Sequence, residues 1–119
     1  MRKLFLLIPA FLLALAVSAA EIEIGSATSN ILGTTVASAA DGDVIILTDN
    51  GPYVTVWRSE NGDDYTRLEK NLTIKAAEGQ NPVIKYTVPF RSRYGKTTKF
   101  IGIKFDGTEM SHYDYYFLF

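Results

Sequence analysis

Three pairs of apolar residues return at nearly even spacing along this chain, and that spacing restricts its fold more than any other feature. Ile45 and Leu47, Leu72 and Ile74, and Ile101 and Ile103 come into register at steps of 27 and 29 residues. A period near 28 is that of stacked units, because a unit this short cannot bury the apolar face of its own strands and must obtain the missing contacts from its neighbours. Leu72-Thr73-Ile74-Lys75-Ala76 is echoed by Ile101-Gly102-Ile103-Lys104-Phe105. Alternation at period two puts Leu72, Ile74 and Ala76, then Ile101, Ile103 and Phe105, on an inner face. In the first unit Val44 and Ile46 are as apolar as Ile45 and Leu47, so the register there is open by one residue, or the outer face is covered.

The rest of the chain punctuates these runs. Residues 30–40 place Leu32, Val36 and Ala39 at helical spacing with Ser29 or Asn30 as N-cap, which predicts a short helix that closes the first unit against edge pairing. Gly33, Thr34, Thr35 and Ser38 make it a poor isolated helix, so packing must hold it. Asp41-Gly42-Asp43 ends it, Gly42 in the left-handed conformation. Turn chemistry returns at Asp49-Asn50-Gly51-Pro52, at Glu78-Gly79-Gln80-Asn81-Pro82 and at Asp106-Gly107-Thr108-Glu109. Short strands at this spacing also fit a small antiparallel sandwich. The long echo favours parallel coils, and no two-residue Asn-Gly hairpin is flanked here by alternating runs.

Composition narrows the function classes. At 119 residues the chain is at most one small domain, and 12 basic against 13 acidic side chains provide no electrostatic footprint for nucleic acid. With no cysteine there is no disulfide, thiolate metal site or cysteine nucleophile, and a single histidine excludes a multi-histidine metal site. Arg2 and Lys3, the apolar run Leu4 to Val17, and then Ser18, Ala19 and Ala20 read as a cleavable secretory signal over residues 1–20. Cleavage is expected after Ala20, with the bond after Ala19 as the alternative; an uncleaved membrane anchor is the competing reading, for which the run is short. Residues 21–119 then form the exported part, without a membrane segment.

Ala39-Ala40-Asp41-Gly42-Asp43-Val44-Ile45-Ile46-Leu47, Gly51-Pro52-Tyr53, Lys70-Asn71-Leu72-Thr73-Ile74-Lys75-Ala76-Ala77-Glu78-Gly79 and Asn81-Pro82-Val83-Ile84 together resemble the opening of pectate-lyase-like right-handed parallel β-helix proteins. The likeness runs from about Leu32 to Phe105, is greatest to secreted members without assigned activity, and extends more distantly to polysaccharide lyases such as chondroitinase B. It implies an all-β fold: the cap and first two to three coils of a right-handed parallel β-helix, with a short capping helix near residues 30–40 and Ile45 and Leu47 as the inward pair. It also implies carbohydrate handling at the cell envelope, with the chain ending inside an apolar strand as an N-terminal piece whose β-helix continues at the C-terminal edge. A complete active site is not expected here, since the basic and calcium-binding positions of such lyases have no match in this chain. Two alternatives stay open, a parent that is a polysaccharide lyase or glycoside hydrolase acting on acidic glycans, and a non-catalytic adhesin or structural surface protein.

Candidate sites are sparse. Arg91, Arg93, Lys96 and Lys99 put four cations within nine residues around Tyr94 and Gly95. Guanidinium groups chelate carboxylate or sulfate in bidentate fashion and a tyrosine stacks on a sugar face, so Arg91, Arg93, Tyr94 and Lys96 are the candidate polysaccharide-binding residues, against a merely solvated turn. Glu60-Asn61-Gly62-Asp63-Asp64 clusters oxygen ligands of the kind calcium takes, in no EF-hand spacing, and a plain polar turn competes with it. Asp41 and Asp43 are expected to satisfy local backbone donors. His112 has Asp114 as its nearest carboxylate, without a catalytic assignment. Tyr113, Tyr115, Phe117 and Phe119 alternate as either an internal aromatic ladder or a sugar platform, and Asn71-Leu72-Thr73 is a glycosylation sequon at a strand start. About three coils is the lower limit for stable stacking, and the last coil offers an uncovered apolar edge, so the isolated chain is expected to be marginal or to associate.

Overall fold

The computed structural model describes residues 19–55, 66–86, 90–109 and 117–118. Residues 1–18 of the expected signal segment, the Glu60 to Asp64 cluster, His112, Asp114, Tyr113, Tyr115 and Phe119 lie outside them. Strand β1 (Glu21–Ile24) precedes helix α1 (Ile31–Ser38). Three passes of chain follow, each made of three strands. The first pass is β2 (Val44–Leu47), β3 (Tyr53–Thr55) and β4 (Thr66–Leu68); the second is β5 (Leu72–Ala76), β6 (Val83–Tyr86) and β7 (Phe90–Ser92). The third is β8 (Thr98–Ile101), β9 (Lys104–Asp106) and β10 (Phe117–Leu118). They build three sheets, ordered β1-β2-β5-β8, β3-β6-β9 and β10-β7-β4. Every described pair is parallel, which rules out the antiparallel sandwich.

Alternation decides which side chains enter the core. Ile45 and Leu47 are fully buried while Val44 and Ile46 are half-buried, so the open register of the first run resolves in favour of the former pair. Leu72 and Ile74 in β5 and Ile84 and Tyr86 in β6 are buried in the same way. Each large apolar side chain taken out of water contributes on the order of 1.5–3 kcal/mol.

The last run departs from expectation. Ile45 pairs with Ile74, and Ile74 pairs with Phe100, steps of 29 and 26 residues. Leu72 lies beside Thr98, and Ile101 lies beside Lys75 with 52% of its surface exposed. Ile45, Leu72 and Ile101 therefore do not form one inner column. The reason is local: Gly102, at φ 71°, ends β8, and β9 begins at Lys104 in another sheet, so residues 101–105 are not one strand. Phe100 takes the inward place because its ring meets Phe90 and Phe105 edge to face, at 6.0 and 5.0 Å between centroids. Spacing is uneven elsewhere too: Tyr53 pairs with Ile84 after 31 residues, and Ile84 with Phe105 after 21.

Helix α1 changes the fold class. Leu32 and Val36 are 2% and 5% exposed and belong to the same core as the strands, and the helix packs against β3 rather than over the outer face of β2. The outer edge of β2 is covered instead by β1, through Glu21 to Ile24 against Val44 to Leu47. The expected all-β, right-handed parallel β-helix of regular coils is corrected accordingly. The described residues are a compact α/β unit, one helix and three small parallel sheets around a shared core, without a constant repeat.

Turns hold neighbouring passes together through short polar side chains. Asp41 Oδ1 accepts the Asn71 N–H at 2.8 Å, Asn71 Oδ1 accepts the Thr97 N–H at 2.9 Å, and Asn50 Oδ1 accepts the Asn81 N–H at 2.7 Å. Asp43 accepts from the Ala20 and Ala40 N–H groups at 3.1 and 2.9 Å. The two aspartates thus satisfy backbone donors, the part their turn position suggests.

Candidate functional site

The helix is anchored by a residue that sequence patterning does not single out. Asn30 sits at the N-cap in the left-handed region without a side-chain cap bond, so α1 has no polar lock at its start. At its other end Lys70 Nζ donates to the carbonyls of Val36, Ala37 and Ala39 at 3.1, 2.7 and 2.5 Å. A cation there meets the negative end of the helix and three carbonyls left without helical partners. Lys70 lies just before β5, so it ties the helix to the second pass.

The four expected binding residues lie on β7 and in the turn that follows it. Arg91 is on β7, beside Arg67 of β4 and Leu118 of β10. The Arg93 N–H donates to the Leu68 carbonyl at 3.0 Å, and its side chain is exposed. Tyr94 is wholly exposed at a turn where Gly95 has φ 79°. Lys96 turns back to Asp41, Nζ to Oδ2 at 2.9 Å. The Asp41 carboxyl is held below its usual range, first by the Asn71 N–H and then by Lys96. Lys96 thereby fastens the third pass to the turn after α1.

Two concave regions lie among the described residues. Beside the start of α1, Ser26, Thr28, Asn30, Tyr53 and Val54 line a hollow of about 180 Å³. The Tyr53 hydroxyl donates to the Ile24 carbonyl at 3.2 Å, and burial, then Asp49, pushes its pKa up to about 12. It is a brace between β1 and β3. The larger region, about 380 Å³, is an open cleft on the third pass between Pro82, Phe100, Ile103, Lys104 and Phe105.

That cleft continues into an unpaired edge. Among the described residues no strand lies beyond β8 or β9 in their sheets. The inner column Ile22-Ile45-Ile74-Phe100 is closed in its middle and half-open at both ends, since Ile22 and Phe100 are only partly buried. Lys99 and Lys104 are exposed on this rim. Lys85 pairs with Glu109 at 2.9 Å beside it, and Asp106 is held low by bonds from the Thr108 backbone and hydroxyl. Sequence reasoning pointed to an uncovered apolar edge but assigned Ile101 inward; the signal for Phe100 was the aromatic cluster of Tyr86, Phe90 and Phe105, which only packing brings together.

Among the described residues no group of three or more His, Asp or Glu is placed to hold a metal ion, and no helix is long and apolar enough to cross a membrane. No protein-family model matches the chain, and no curated protein or solved structure matches it. The resemblance to pectate-lyase-like proteins and to lyases such as chondroitinase B is corrected on these findings, and with it the carbohydrate-handling reading and its enzymatic and adhesive alternatives. The residues that carried it are turn and core positions, Asp41-Gly42-Asp43 and Asn71-Leu72-Thr73-Ile74 above all, whose work here is to join short parallel strands.

Proposed function

We propose that this chain is a protein-assembly module acting by strand addition. The edge of β8 accepts a further extended polypeptide segment, which completes the first sheet and closes the core over Phe100. One observation carries the reading: among the described residues the first sheet stops at β8, with no strand paired beyond it, Phe100 half-buried and Ile101 52% exposed. Natural edges are commonly blunted by proline, inward charges or lysines; β8 has no proline and no inward charge, and its one lysine, Lys99, stands on the outward face. Main-chain bonds give such docking its affinity and alternate side chains its register. Lys99 and Lys104 favour an acidic segment.

The reading places the module outside the cytoplasm, supported by the signal-like residues 2–20. Of the two cuts, the one after Ala19 keeps Ala20, whose N–H reaches Asp43 and whose carbonyl accepts the Val44 N–H at 2.8 Å.

Amide hydrogen exchange of the exported chain over a concentration series tests the proposal. Residues 98–101 are expected to become protected as concentration rises, and Ile101→Lys, which charges the edge, is expected to remove that protection. Exchange at 98–101 that stays fast at every concentration, or is slowed equally in Ile101→Lys, would overturn it.

A further inference from the structure

Resting on that reading, we infer that the segment received by β8 is β1 of a second copy of this chain, so that copies join head to tail. The charge distribution is the first reason. Residues 19–50, which form β1, α1 and β2, hold Glu21, Glu23, Asp41, Asp43 and Asp49 and no basic side chain. The described residues from 66 to 109 hold nine lysines and arginines against four carboxylates. The carboxylates thus gather at the β1 end, the described cations spread over the second and third passes, and Lys99 on the β8 edge is the one that Glu21 and Glu23 of another copy would meet.

Register is the second reason. In the first sheet the outward columns run Glu21-Val44-Thr73-Lys99 and Glu23-Ile46-Lys75-Ile101, and the inward column runs Ile22-Ile45-Ile74-Phe100. A second β1 laid beside β8 in the same direction continues all three. Ile22 or Ile24 comes over Phe100, and Glu21 or Glu23 comes over Lys99, because a shift by two residues preserves both faces. The half-buried ends of the inward column then close each other. Helix α1, packed beyond β3, would lie over β9 of the neighbour. Its exposed side chains Thr34, Ala37 and Ser38 are small enough to approach Ile103 and Phe105.

Direction is the third. Every described strand pair is parallel, and head-to-tail joining keeps that direction, whereas a two-fold axis through β8 would set two basic edges against each other in antiparallel pairing. A heterologous contact of this kind does not close on itself unless the rotation makes a ring, so an open series of oligomers follows.

Sedimentation velocity on the exported chain tests the inference, with thermal unfolding to check that each exposed-site variant folds. Wild type is expected to give an open-ended series that weakens with added salt. Lys99→Glu alone and Glu21→Lys/Glu23→Lys alone are each expected to associate about tenfold more weakly, since cross-strand like charges replace unlike ones. An equimolar mixture of the two variants is expected to recover the wild-type series, because each then presents the edge the other needs. If the mixture recovers nothing, or Lys99→Glu alone strengthens association through a two-fold β8 contact, the second-copy inference falls. Strand addition at β8 still stands in that case provided residues 98–101 are protected, and both fall together if they are not.

Discussion

Lys70 shows how one side chain fixes the position of an element. Helix α1 has eight residues, three of them Thr or Ser, an interior Gly33 and an N-cap whose side chain makes no cap bond; alone it would not form. The Lys70 ammonium collects three carbonyls at its C-terminal end. Lys70→Met keeps most of the aliphatic stem and removes the donor. Denaturant titration is expected to show a loss of about 1–2 kcal/mol, with the early exchange change in residues 31–38. Tyr53 gives a second residue-scale expectation. Its phenol is held neutral in the folded chain to about pH 12 but ionises near pH 10 when unfolded. At pH values between these two the folded state binds the extra proton, so stability is full below about pH 10 and falls as pH rises toward 12. Tyr53→Phe is expected to be less stable at neutral pH, having lost the bond to Ile24, and to lack this alkaline contribution. An alkaline unfolding profile unchanged by the substitution would contradict the assignment.

At the scale of elements, the third pass is where sequence and structure part. The run from Phe100 to Phe105 reads as one alternating strand, yet Gly102 divides it between two sheets, with a Cβ added there coming 3.3 Å from Ala76. The consequence is a reversal of adjacent residues. Phe100→Ala is expected to cost about 2 kcal/mol, because it hollows the cluster with Phe90 and Phe105 at a half-buried position. Ile101→Ala is expected to stay within about 0.5 kcal/mol in the monomer. Equal losses, or the opposite order, would restore the inward assignment of Ile101. The helix was legible as existing and as burying Leu32, Val36 and Ala39; its support from β3 and Lys70 was not, since those contacts join residues far apart in sequence.

For the molecule as a whole, the long-range order of charge matters more than any cluster of it. The turn carrying Arg93, Tyr94 and Lys96 is conspicuous in sequence as a knot of cations, but Lys96 is bonded to Asp41 across passes and Tyr94 faces solvent. Among the described residues the neighbouring edge is where the first sheet stops, at β8. By itself, the amino-acid order determined where the chain turns and which residues of β5 face inward, and left β2 open by one residue. Asp, Asn, Gly and Pro act on their own backbone, and strict alternation leaves one choice of face. Only the tertiary structure decided the spacing of the passes, the exchange of Ile101 for Phe100 and the class of the fold. Those depend on which distant aromatic rings and helix-end carbonyls share one interior, and a local pattern does not contain that information.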